Sequence, residues 1–164
     1  MKGIGTAKAV ESHAACTLAK RLAVPGLKAL PRLNEPGTVY GLLREDFRNV
    51  PQERFLALLL DTKNQLLRTE AVTIGLADRT QIHPREVFRP AVRESCSRIL
   101  LVHNHPSGDP APSPQDVAAT RQLVEAGKIL GIEILNHIII GDPAKEHRPP
   151  FISFRQEGLI GTTG

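Results

Sequence analysis

The sequence predicts an α/β fold, a mixed sheet flanked by helices, on three observations. Two apolar runs of strand length, Arg54–Leu60 and Leu66–Ile74, enclose the polar turn Asp61-Thr62-Lys63-Asn64-Gln65, which is a hairpin signature. Apolar runs alternate with helical patterns through the second half of the chain, as in a layered sheet-and-helix domain. One of those helices carries both start and stop signals. Ser113 stands at its N-cap, Pro114 in its first turn, Asp116 three residues after the cap and Gly131 just past its end.

Taken in order, residues 7–22 read as a helix, because Val10, Ala14, Leu18 and Leu22 recur at helical spacing with no proline before Pro25. Residues 25–36 contain Pro25, Pro31 and Pro36 with Gly26 and keep no period, so they read as a linker. Residues 39–47 form a short helix, and the hairpin follows. Pro84 opens a helix to about residue 94, since a missing donor costs nothing in the first turn. Residues 98–102 make a buried strand. The well-marked helix with Val117, Thr120, Val124 and Ile129 on its buried face follows. Glu133–Ile140 is a further strand, residues 141–143 a turn, and residues 151–154 a last short strand.

The chain has 164 residues, 41% hydrophobic and 23% charged, enough to bury one sizeable core. No apolar stretch approaches the ~18 residues that span a bilayer. The first residues meet Lys2, Lys8 and Glu11 rather than an unbroken apolar core, which predicts a cytoplasmic protein without a secretory signal. Cys16 and Cys96 are far apart and have the character of reduced, unpaired thiols. The net charge of +4 is concentrated at the start of the chain: Lys2, Lys8, Lys20, Arg21, Lys28 and Arg32 stand against Glu11 and Glu35. Such a segment is either a solvated basic helix or an arm for phosphate backbones, making DNA a partner to test.

The chemistry-bearing residues lie in Leu101-Val102-His103-Asn104-His105-Pro106. Two imidazoles two residues apart at a strand end project to one side. The loop that follows contains Pro106, Pro110 and Pro112 with Gly108, and it leads into the helix whose first turn carries Asp116. His103, His105 and Asp116 would supply N, N and O ligands and leave a fourth tetrahedral position for water, the pattern of a catalytic zinc.

The spacing resembles the JAMM metalloprotease signature: His-x-His-Pro, then Ser113 eight positions after His105 and Asp116 three beyond it. The fuller string His-Asn-His-Pro-Ser-Gly-Asp-Pro-x-Pro-Ser-x-x-Asp resembles the RadC family, with His83-Pro84-Arg85-Glu86-Val87-Phe88 before it and His137-Ile138-Ile139-Ile140-Gly141 after it. The resemblance implies a JAMM/MPN-like domain over residues 37–164, with the layered architecture also seen in cytidine deaminases. It implies one zinc per chain on His103, His105 and Asp116, and hydrolysis of a peptide or isopeptide bond in a protein or peptide substrate. Glu53, before the run Phe55-Leu56-Ala57-Leu58, matches the family's general base, with Glu86 as the rival carboxylate, and Ser113 matches its oxyanion donor. The family's DNA-repair label adds a second function class, a DNA-associated accessory protein whose metal domain is structural. Gly3-Ile4-Gly5 before a helix resembles the closing half of a helix-hairpin-helix, giving residues 1–24 a partial DNA-binding element and residues 25–36 the linker.

Each of these residues also has a plainer reading. Ser-Pro-x-Asp is a good helix start whatever the function. If Asp116 binds metal it cannot also cap fully, so its side chain is expected to turn away from the helix end. Glu53 could be a solvated residue before a strand. His83 and His137 read as helix-start and strand residues satisfied by backbone partners. Asn136 stands where RadC relatives usually carry aspartate, which removes a carboxylate from behind the site.

Overall fold

A computed structural model describes residues 32–74, 82–145 and 149–161. The helix expected over residues 7–22 and most of the region expected as a linker lie outside these. The five linker residues that are described do not hang free. Arg32 bridges to Gln65, Leu33 donates its N–H to Asn64 O and is fully buried, and Pro36 begins a helix.

That helix, α1 (Pro36–Leu43), starts three residues earlier than its sequence pattern predicts and passes into a 3₁₀ turn, Arg44–Phe47. Proline pre-set at the first helical position is the reason: a residue read as punctuation is instead an initiator. Strands β1 (Arg54–Leu60) and β2 (Leu66–Ile74) form the expected hairpin. Asp61 Oδ1 ties its turn by accepting from the N–H groups of Lys63 and Gln65. Helix α2 is Pro84–Arg93, with His83 at its N-cap. Strand β3 (Arg98–His103) runs one residue past its expected end, so His103 is its last residue and His105 belongs to the loop. Helix α3 (Pro114–Leu130) and strand β4 (Glu133–Ile140) take the predicted bounds, but Ile129, expected on the buried face of α3, is 86% exposed, and Leu123 and Gly127 are buried beside Thr120 instead. The turn after β4 becomes a 3₁₀ segment, Pro143–Lys145, before β5 (Phe151–Ser153).

The five strands form one mixed sheet in the order β2-β1-β3-β4-β5, with β3 and β4 parallel and the other pairs antiparallel. α3 is the crossover that the parallel pair requires. Strand alternation sends Phe55, Ala57, Leu59, Ile99 and Leu101 to one face, against Phe88 of α2 and Leu123 of α3. Leu56, Leu58, Leu60, Leu100 and Val102 go to the other, against Val39, Leu43 and Phe47. The result is a three-layer molecule, helix, sheet, helix. No helix among the described residues is long and apolar enough to cross a membrane.

One irregularity positions the site. The β3–β4 register slips between Ile99 and Leu100, which pair with Ile134 and Asn136 and leave Leu135 as an extra residue. Ile134 and His137 therefore come to the same face despite their odd spacing, and His137 arrives beside His103.

Candidate metal centre

β3 ends on His103, and the chain turns at once through His105 into a braced loop. Gly108 N donates to His105 O at 2.9 Å, and its φ of +80° suits glycine. Asp109 Oδ1 accepts from Ala111 N, and Asp109 O faces His105 Nδ1 at 2.9 Å. The loop delivers Ser113 as the N-cap of α3, whose first turn carries Asp116.

These elements bring the three expected ligands together. His103 Nε2 and His105 Nε2 are 3.0 Å apart, His105 Nε2 is 3.1 Å from Asp116 Oδ2, and His103 Nε2 is 3.3 Å from Asp116 Oδ1. Donors held by one zinc at ~2.0–2.1 Å in a tetrahedron stand roughly 3.3 Å apart. His105 Nδ1 must donate, because the Asp109 carbonyl only accepts, so neutral His105 turns a lone pair toward Asp116. Lone pairs and a carboxylate converging at such distances repel unless a metal ion or a proton sits among them. The residues fit a divalent metal.

In the metal-free chain protons take that place. Its hydrogen bond with Asp116 raises the pKa of His105, against the effect of burial. Burial alone would raise the Asp116 carboxyl, but hydrogen bonds from His103, His105 and Ser113 hold it well below the usual carboxylate range. Burial, with the charge of His103, pushes His137 well below an ordinary imidazole.

Asp116 corrects one expectation. Its Oδ2 accepts from both Ser113 N and Ser113 Oγ at 2.7 Å while Asp116 N donates to Ser113 Oγ at 3.1 Å, a complete capping box. Capping and ligation do not compete here, because a carboxylate has about four acceptor sites and Oδ1 stays directed at His103. Ser113, the expected oxyanion donor, gives its hydroxyl proton to Asp116 in this geometry.

Glu53 lies just before β1. The β1–β3 pairing sets Phe55 opposite His103, and Asn104 N donates to Arg54 O, which puts Glu53 across from His105. Its charge acts on His105. Asn104, between the two histidines, clamps this segment: its Oδ1 accepts from Arg54 N at 2.9 Å and its Nδ2 donates to Gln52 O at 3.1 Å. The rival Glu86 is in the exposed first turn of α2, where Arg89 faces it at 3.8 Å.

Sequence reasoning missed the layer behind the ligands. His137 is not satisfied by backbone partners; its side chain touches His103 and Thr120. A histidine inside the apolar run Ile134 to Ile140 was the available signal, since a buried polar ring needs a partner. Thr120, one helical turn after Asp116, was read only as part of a buried face. Asn136 faces away from the site: Nδ2 donates to Ser153 Oγ, and Oδ1 accepts from the N–H groups of His137 and Arg155, fastening β4 to β5. His83 stands at the N-cap position of α2 without a side-chain capping bond and is not among the three converging donors. Cys96 is buried and reduced, its thiol pKa raised by burial.

The family model described as RadC-like JAB domain matches residues 33–159. The chain belongs to the RadC family. A UPF0758 protein of Desulforamulus reducens is 47% identical over 160 residues, covering 98% of this chain and 68% of the relative. Those of Trichlorobacter lovleyi and Methanosarcina mazei are 48% and 44% identical over 160 residues, each covering 98% of this chain and 67% of the relative. This RadC chain thus spans about two thirds of such relatives, and the region matched by the family model begins where the described residues begin.

Proposed function

We propose that this RadC domain is a zinc-dependent hydrolase that cleaves an amide, peptide or isopeptide, in a protein or peptide substrate. One observation carries the reading: N, N and O donors of His103, His105 and Asp116 stand 3.0–3.3 Å apart, with Glu53 opposite His105 in the β1–β3 register. Zinc in such a site lowers the pKa of a water to about 7 and polarises a carbonyl. The remaining chemistry belongs to the chain. Glu53, half-buried and next to His105, accepts the water's proton on its carboxylate and returns it to the leaving nitrogen. Ser113 Oγ turns its proton from Asp116 to the developing oxyanion. Asp116 tolerates that loss, because Ser113 N continues to donate to the same oxygen at 2.7 Å.

The test has two arms. Native protein should hold one zinc per chain, and His103→Ala and His105→Ala should each lose it; substoichiometric zinc unchanged by either substitution overturns the metal assignment. In a metal-dependent cleavage screen over peptide and isopeptide conjugates, Glu53→Gln should keep zinc and lose roughly 10²–10⁴-fold in rate. Ser113→Ala should cost roughly 10²–10³-fold. Full activity in Glu53→Gln would remove hydrolysis by this route.

A second reading, DNA association through the basic first 35 residues, is favoured by six cations against two carboxylates there. Phosphate-driven binding weakens steeply with salt. Undetectable binding to duplex or branched DNA at ~50 mM salt ends that reading.

A further inference from the structure

Thr120 has one hydroxyl hydrogen and two close partners. Its Oγ1 lies 2.6 Å from the backbone carbonyl of Asp116 and 2.6 Å from His137 Nδ1. A carbonyl only accepts, so Thr120 donates to Asp116 and must accept from His137. His137 therefore carries a proton on Nδ1. Its ring is 1% exposed, lies 5.3 Å from the Phe55 ring and 4.6 Å from that of Phe154, and among the described residues hydrogen-bonds to no carboxylate. Such surroundings keep an imidazole neutral. A neutral ring protonated on Nδ1 bears a lone pair on Nε2. The atom 2.7 Å from that lone pair is His103 Nδ1, which must then donate.

We propose that Thr120 and His137 are positioning residues that keep the Nδ1 proton of His103 in place, so that Nε2 is the nitrogen left for a metal where it meets His105 and Asp116. The relay begins on the backbone carbonyl of Asp116 and ends facing the carboxylate of the same residue, so the first turn of α3 both offers a ligand and sets the proton on its neighbour. Which nitrogen of a histidine is free depends on the bond made by the other. His105 obtains the same polarity from a backbone carbonyl of the loop. His103, at the end of a strand buried on both faces, obtains it through two side chains. The purpose of the relay rests on the metal reading, but its proton order is a property of the chain with or without metal.

Side-chain ¹H–¹⁵N spectra of the labelled 164-residue chain, metal-free and zinc-loaded, read that order directly. Wild type and Thr120→Ser should show protonated Nδ1 at both His103 and His137 and a bare Nε2 at His137. Thr120→Val, nearly isosteric but without the hydroxyl, should lose this pattern at His137 and bind zinc roughly 10–100-fold more weakly, while Thr120→Ser stays near wild type. Wild-type His137 protonated on Nε2 overturns the relay, whether or not Thr120→Val folds. So does a Thr120→Val protein that keeps both tautomers and wild-type zinc affinity. A wild-type chain with the expected tautomers that takes up no zinc supports the relay and removes the metal reading instead.

Discussion

At the scale of single residues, His137 makes the acid stability of the metal-free protein predictable. Burial holds its folded pKa well below the ordinary ~6.5, so below that pH the unfolded chain binds a proton that the folded one does not. Stability should therefore fall on acidification from about pH 6.5, by about 1.4 kcal/mol per pH unit for that one proton. The other shifted groups act in different windows. The contribution of His105, whose pKa is raised, is complete below ~6.5 and is lost only as pH rises through its folded value; that of Asp116, whose pKa is lowered, is lost only below ~4. Urea unfolding of stripped protein between pH 4.5 and 6.5 should show the slope, and His137→Gln should flatten it; an equal slope in both proteins refutes the assignment. Asn104 yields a second expectation. Asn104→Ala removes two hydrogen bonds to the segment that bears Glu53, at about 1–3 kcal/mol, and should lower turnover while zinc stoichiometry, measured by metal analysis, is unchanged. The three converging donors were legible as a cluster in the sequence because His103, His105 and Asp116 lie within fourteen residues at a recognisable spacing. His137 and Thr120 were not, because their contact depends on a strand bulge and on α3 lying across β4, neither of which has a local signature.

At the scale of elements, the loop from Asn104 to Ser113 is held from outside. Asp142 N donates to Gly108 O at 2.8 Å, and Lys145 Nζ donates to Ser107 O at 2.7 Å, so the 3₁₀ segment after β4 props the chain that carries His105. Gly108 is where this brace is tightest: a Cβ there would stand 2.8 Å from Asp142 Cβ and 3.0 Å from Lys145 Cδ, on a backbone with φ of +80°. Gly108→Ala should cost at least the ~1–2 kcal/mol of a left-handed non-glycine residue, or about 2–8 °C in Tm, and should weaken zinc binding by shifting His105. Thermal melts with and without zinc check both effects; a variant that melts and binds like wild type removes the brace. Elements with chemically marked ends were readable in advance, as with α3 between Ser113 and Gly131 and the hairpin around Asp61. Pro36 was misread because proline marks both a linker and a helix start, and only the packing of Val39 and Leu43 decides between them.

At the scale of the whole molecule, the sequence conveyed a mixed sheet with helices but not the order β2-β1-β3-β4-β5, since pairing of β1 with β3 is a long-range choice that no short pattern encodes. That order makes the site a junction. β3 contributes His103, the loop His105, α3 Asp116 and Thr120, β4 His137, and β1 the Phe55 ring stacked 5.6 Å from His103. A metal at this junction would tie the end of β3 and its loop to the crossover helix α3, which are not pre-assembled in an unfolded chain. Binding free energy there becomes folding free energy. At zinc 100-fold above its Kd the gain is about 2.7 kcal/mol, which for a domain of this size raises Tm by roughly 5–10 °C. Glu53→Gln should show the full zinc-dependent rise, because its carboxylate is not among the three converging donors, whereas Asp116→Asn should lose most of it. Chelation should return wild type to the Asp116→Asn baseline after allowance for the lost capping bonds. Equal melting of wild type with zinc and with chelator would mean that the junction holds without metal, and that the three donors are a hydrogen-bonded cluster rather than a metal centre.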